Sequence, residues 1–194
     1  MKIKLLMFCA LWFASGNMLA ADVTGSFSIK GAGLLNCKTF VKEREERSNV
    51  YYMIGGWLDG FISAHNKYVE GTYDITTFET SELLAKVIDN HCRANPKDRL
   101  YPVVNSIIAK FVPHRIQTSS PKIDIHAGKR KTRLYQETLR RVQAELKERG
   151  YFNGKIDGVY NNSMIDAIKA FQASLKFEQT GFPDQTTLWR LLHK

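Results

Sequence analysis

The stretch Asp157-Gly158-Val159-Tyr160-Asn161-Asn162, followed by the run 163–175 with its Phe171-Gln172 pair, decides the reading of this sequence. It lies between two other segments with helical spacing. On the preceding one, Tyr135, Leu139, Val142 and Leu146 recur so as to share one face. Gly150 stands where such a helix stops, at a position that tolerates left-handed backbone, and Tyr151-Phe152 supply the first apolar contacts past the stop. Asn153-Gly154 and Asp157-Gly158 are turn dipeptides around Lys155-Ile156. On the second segment Met164, Ile168, Phe171 and Leu175 make a stripe, with Ala167 small enough for a close neighbour. The third begins at Asp184, a good N-cap, and offers Leu188, Leu191 and Leu192 to the same core. The pattern predicts a three-helix unit with two tight turns.

These residues resemble the peptidoglycan-binding-like domain family, a three-helix wall-anchoring module attached to many bacterial cell-wall enzymes. The resemblance covers residues 135–192 and rests on Gln143, Leu146, Gly150-Tyr151, Asp157-Gly158, Ala167, Phe171-Gln172, Thr180-Gly181, Asp184 and Leu188. The sequence departs from the family pattern at Asn161, where Gly is usual, and at Met164, where Thr is usual. Asn tolerates positive φ better than most residues, so Asn161 is expected to keep the turn. Asn162 or Ser163 is expected to cap the second helix in place of the missing hydroxyl. Most of the motif serves a tight fold whatever it binds. The resemblance therefore implies that ligand contacts come from side chains left over once the core is filled: Tyr151, Asn153, Lys155, Tyr160 and Asn161 on the turns, and Gln172 if it faces outward. Aromatic faces suit sugar rings, and amides suit acetamido and peptide groups. Lys155 reads first as a solvated surface charge.

Residues 1–21 have the layout of a secretory signal peptide: Lys2 and Lys4, an apolar run from Leu5 to Ala14, then small residues around Ala20-Ala21. Met18 and Leu19 fit the cleavage rule poorly, so a retained N-terminal anchor is the alternative. Cys9 has no lipobox around it. Without it the exported chain keeps an even pair, Cys37 and Cys92, which reads as a disulfide, with two buried thiols as the alternative. No CxxC, paired His spacing or third sulfur offers a metal site, and no cofactor motif is present.

Residues 22–112 read as a four-helix domain. The first helix lies within 31–42 around Cys37. The second, 50–69, has Ile54, Trp57, Leu58, Phe61 and Ile62 on a broad apolar face. Gly55, Gly56 and Gly60 disfavour that helix by about 1 kcal/mol each relative to Ala, which points to a close helix crossing. Thr76 and Glu79 form a capping-box pattern opening a third helix that runs to Cys92, and Asn95-Pro96 opens a fourth with Leu100, Val104, Ile108 and Phe111 on its core stripe. Gly33-Leu34-Leu35-Asn36-Cys37, the 52–60 stretch with Trp57 and Gly60, and His91-Cys92 to Pro96 resemble the disulfide-containing periplasmic family of type VI secretion amidase immunity proteins, structurally near acid-stress chaperones. That resemblance implies a non-enzymatic module that binds a protein partner and forms a homodimer.

The overall charge of +9 is unevenly spread. Residues 22–112 carry 11 basic and 11 acidic side chains, whereas residues 113–194 carry 15 and 8. The densest basic run, Lys129-Arg130-Lys131-Thr132-Arg133, ends a Pro-, Ser- and Thr-containing segment that reads as a basic linker over 113–132. It suits solvent, anionic wall polymer or phospholipid head groups rather than nucleic acid in an exported protein. His65, His91, His114 and His126 are scattered, Glu43, Glu45 and Glu46 sit among Arg44 and Arg47 as a solvated face, and 22–112 is short for a hydrolase with its own cleft. No catalytic residue is assigned. The expected architecture is all-α: signal peptide 1–21, helical partner-binding domain 22–112, linker 113–132 and wall-binding domain 133–194, periplasmic or secreted. The alternative is an envelope or secretion-assembly component that uses both domains for protein contacts; a wall hydrolase is the remaining reading.

Overall fold

The computed structural model describes residues 21–22 and 24–193, so the expected signal peptide lies outside the described residues except for Ala21. Seven α-helices and one two-stranded sheet are formed among them: α1 (Cys37–Glu45), α2 (Asn49–Tyr68), α3 (Ser81–Ala94), α4 (Leu100–Phe111), β1 (Lys122–Ala127), β2 (Arg130–Tyr135), α5 (Gln136–Glu148), α6 (Asn162–Ser174) and α7 (Gln185–Leu192).

Helices α1 to α4 enclose one hydrophobic cluster that includes Phe40, Ile54, Leu58, Leu84, Ile88, Leu100, Val104 and Ile108. Cys37 at the start of α1 is bonded to Cys92 near the end of α3, as the cysteine count led us to expect. The helix starts differ from the expected ones. α3 is capped by Thr80, whose hydroxyl accepts from Leu83 N. Thr76 instead belongs to a turn held by Asp74, and Glu79 is buried in the interior. α4 opens at Leu100 rather than at Asn95-Pro96, because the 96–100 backbone is tied to 35–38 through Cys37 N to Asp98 O, Lys38 N to Pro96 O and Leu100 N to Leu35 O. The glycines of α2 also differ from expectation. A Cβ built on Gly55, Gly56 or Gly60 meets no atom within 4 Å, so among the described residues no helix crosses there.

The all-α expectation is corrected by the hairpin. β1 and β2 pair antiparallel with Ile123 opposite Leu134 and Ile125 opposite Thr132, and β1 and the first half of β2 fall in the stretch 113–132 expected to be a linker. Lys122-Ile123-Asp124-Ile125-His126-Ala127 alternates apolar and polar residues, the pattern of a half-buried strand. The neighbouring basic run obscured it. Gly128, at φ 59, begins the two-residue turn. Ile125 and Leu134 are buried in a second cluster with Leu139, Val142, Leu146, Met164, Ile168, Phe171, Leu188 and Leu191.

The two clusters meet along a seam. Phe78, from the loop before α3, belongs to the second cluster, and Trp189 of α7 packs against both. Thr138 Oγ1 donates to Thr77 O (3.1 Å), Gln185 Nε2 donates to Phe78 O (2.7 Å) and the Tyr135 hydroxyl donates to Asp74 Oδ2 (2.8 Å). His193 Nε2 lies 2.7 Å from Glu79 Oε1 in the same seam. Buried polar groups with partners give this contact a fixed register. Among the described residues, no helix is long and apolar enough to cross a membrane.

Candidate functional site

The second cluster is built on a local unit used twice. α5 ends at Gly150 (φ 79), as the stop signal predicts, and its buried Gln143 reaches across to the turn before α6. Gln143 Oε1 accepts from Gly158 N (2.7 Å), while its Nε2 donates to Asp157 Oδ1 (3.0 Å) and Val159 O (3.2 Å). Gln172 of α6 does the same for the turn before α7. Its Oε1 accepts from Gly181 N (2.9 Å), and its Nε2 faces Phe182 O (3.0 Å), Thr187 Oγ1 (3.1 Å) and Thr180 Oγ1 (3.2 Å).

Each turn needs its glycine for two reasons. Gly158 and Gly181 hold φ of 75° and 69°. A Cβ at Gly158 would sit 2.6 Å from Gln136 O, and one at Gly181 would sit 3.1 Å from Ile165 O. Those carbonyls lie two helical turns before Gln143 and Gln172 respectively, so the correspondence extends through both helices. Asn161 and Asp184 then stand at matching places after the two glycines and cap α6 and α7.

The six expected contact residues separate on this geometry. Gln172 is 1% exposed with its amide fully engaged, so it faces inward and leaves the surface set. Asn161 takes φ −124°, extended rather than left-handed, because Gly158 supplies the positive φ of the turn. Its side-chain oxygen accepts from Met164 N (3.1 Å), so Asn161, not Asn162 or Ser163, is the cap. Tyr160 is half-buried and donates its hydroxyl to Gly181 O (2.9 Å), tying the two turns together. Burial pushes that phenol above its ordinary pKa. Tyr151 is half-buried with its ring edge-on to Phe171 at 5.8 Å between centroids. Asn153 and Lys155 are exposed.

Beside them stand Ile156 (42% exposed) and Val159 (47% exposed), which the sequence reading left out. The signal was available: they are the two aliphatic residues of a turn that otherwise holds polar and glycine positions. Asp157 is held below the usual carboxylate range by the Gln143 amide first and by the Val159 backbone amide second. The first turn therefore presents Asn153, Lys155, Ile156 and Val159 over a rigid frame.

Next to the second turn an open groove of about 470 Å³ runs between the hairpin and α7. Phe177 and Phe182 line it, with Arg130, Glu178, Asp184 and Thr186 around them. Arg130 on β2 bonds Glu178 at 3.0 Å, so the hairpin supplies part of this groove. Among the described residues no group of three His, Cys, Asp or Glu side chains is placed to hold a metal ion.

Residues 135–191 match the family model described as "Putative peptidoglycan binding domain". The match covers α5, α6, both turns and α7 up to Leu191. The helical first half, β1 and all of β2 but Tyr135 lie outside it. No curated protein and no solved structure matches the chain.

Proposed function

We propose that this is an exported, non-enzymatic protein that holds peptidoglycan through residues 133–194 and a protein partner through residues 22–112. The observation that carries the first half is the match over 135–191, on a three-helix unit whose motif residues are spent on its own frame. What remains for a ligand is the turn surface of Asn153, Lys155, Ile156 and Val159 and the Phe177 groove. Amide, ammonium and aliphatic groups beside an aromatic groove suit an acetamido sugar bearing a peptide. A disulfide in the first half accords with an extracytoplasmic site.

The partner-binding half draws on α2. Tyr52 and Met53 are 63% and 54% exposed, and Gly56 and Gly60 lie exposed on the same side. Tyr and Met are enriched at protein interfaces, and glycine lets a partner's backbone come close. An immunity role, in which the partner is a wall-cleaving toxin, and a homodimer both use this face. Wall attachment would then raise the local concentration of the first half wherever the polymer is being worked on.

Retention on purified peptidoglycan sacculi tests the reading. Residues 22–194 should co-sediment at moderate salt, and Lys155→Ala with Val159→Asp should weaken retention. Loss of a protein partner with retention unchanged would favour the envelope-assembly alternative.

A further inference from the structure

A second recognition element lies on the opposite side of α5 from its buried stripe. The 3₁₀ turn Val112–His114, the segment after it and the first turns of α5 enclose a cavity of about 450 Å³. Three arginines line it, Arg115, Arg140 and Arg141, against one acidic residue, Glu137. Thr118 and Ser119 add exposed hydroxyls.

Two of the guanidiniums are fixed in place. Arg115 donates through Nε to Gly71 O (2.8 Å) and through Nη1 to Val112 O (2.7 Å). Arg141 donates to His114 O and, through Nη2, to Arg115 O (2.9 Å). These acceptors are neutral carbonyls: they orient the cations without cancelling their charge. Glu137 is shared, 3.5 Å from Arg141 Nε and 3.6 Å from Arg140 Nη1. Arg140 makes no closer bond to it and stays exposed, so its fork is open to an incoming anion. The N-terminal end of α5, where Ser120 Oγ accepts from Glu137 N, adds a field of the same sign.

We propose that this cavity binds a carboxylate of the peptidoglycan stem peptide, an inference that rests on the wall-binding reading above. Planar bidentate pairing suits the open Arg140 guanidinium to a carboxylate, and the two fixed cations beside it add positive charge without having to be ordered on binding. The choice of a peptide carboxylate over a free phosphate comes from position. A Cβ at Gly158 would lie 3.1 Å from Arg140 Cγ, so Arg140 joins the cavity it lines to the Asp157-Gly158 turn, next to the exposed Val159. One polymer fragment can therefore set its sugar or amide on the turn and its carboxylate on Arg140.

The test is titration of residues 22–194 with a purified disaccharide tetrapeptide, the same compound with its carboxylates amidated, and inorganic phosphate, alongside retention on sacculi. The acid form should bind about ten-fold tighter than the amide, the scale of a hydrogen bond to a charged group. Arg140→Ala should remove most of that difference, and Arg140→Lys should restore part of it. Equal affinity for acid and amide, or an Arg140→Ala effect on both alike, overturns the carboxylate site. Sacculus retention alongside either result leaves wall binding standing, whereas absence of both retention and fragment binding removes the two together. Binding of phosphate with no binding of the acid fragment reassigns the cavity and also overturns the proposal.

Discussion

Gly150 and Gly158 have nearly the same backbone angle, φ 79° and 75°, and different surroundings, so replacing each with alanine separates conformational strain from steric conflict. Alanine in the left-handed region costs about 1–2 kcal/mol at either place. At Gly150 nothing lies within 4 Å of the added methyl, so that is the whole effect. At Gly158 the methyl would lie 2.6 Å from Gln136 O and 2.6 Å from Gln136 Cγ. The side chain can rotate, but the carbonyl is part of α5 and cannot yield without moving the helix or the turn. Overpacking of this kind adds about 1–3 kcal/mol, for a total of about 2–5 kcal/mol. A chain of this size shifts by about 2–4 °C per kcal/mol, so Gly158→Ala should melt roughly 10 °C below wild type and Gly150→Ala about 4 °C below. Thermal denaturation followed by circular dichroism reads both. Equal shifts, or a milder effect at Gly158, would refute the argument that the turn is pressed against the helix carbonyl.

Three further outcomes follow from the same frame. Gln172→Leu leaves Gly181 N–H and Phe182 C=O without their partner and should cost about 3 kcal/mol, read as a lower urea midpoint; a stable variant that loses wall binding would restore Gln172 as a contact residue. His65 has a buried Nε2 without a hydrogen bond, and burial, then the Arg115 charge, hold its pKa below 6.5. The unfolded chain therefore takes up this proton more readily, so stability should fall as pH drops below 6.5 through the folded value; His65→Gln should flatten that slope in melts from about pH 7.5 to about pH 5, and an unchanged slope would clear His65 of the effect. Opening the Cys37–Cys92 bond, which spans 55 residues, should cost about 4 kcal/mol in the chain-entropy model, so Cys37→Ser with Cys92→Ser should melt well below wild type. An unaltered melting temperature would remove the bridge as a source of stability.

The three-helix unit was legible because its signals are local. Gly150, Asp157-Gly158 and Asp184 mark helix ends wherever the chain goes next, and Leu139, Val142 and Leu146 show their face through spacing alone. The hairpin was missed because two short strands within a basic segment carry little apolar signal beyond Ile123, Ile125 and Leu134. The late start of α4 depends on bonds from 96–100 to 35–38, which no local pattern records. The exposed glycines of α2 show a different limit: spacing identifies a face that admits a close neighbour without saying whether the same chain supplies it. At the candidate site, a glutamine in the middle of a helix gives the same sequence signal whether it points inward or outward. Gln172 was therefore open until its hydrogen bonds to the Thr180-Gly181-Phe182 turn placed it in the interior.

The most direct test of wall binding is co-sedimentation of residues 22–194 with purified sacculi at low salt and at about 0.15 M salt, where exposed charge is screened beyond about 8 Å. Residues 22–134 are kept because Phe78 and Ile125, from outside the matched segment, complete the core beneath it. Retention that persists at the higher salt and falls with Lys155→Ala plus Val159→Asp is the predicted result. Retention that disappears with salt, or that follows the Lys129-Arg130-Lys131 run and ignores the turn variants, would contradict specific wall recognition and leave charge alone as the attraction.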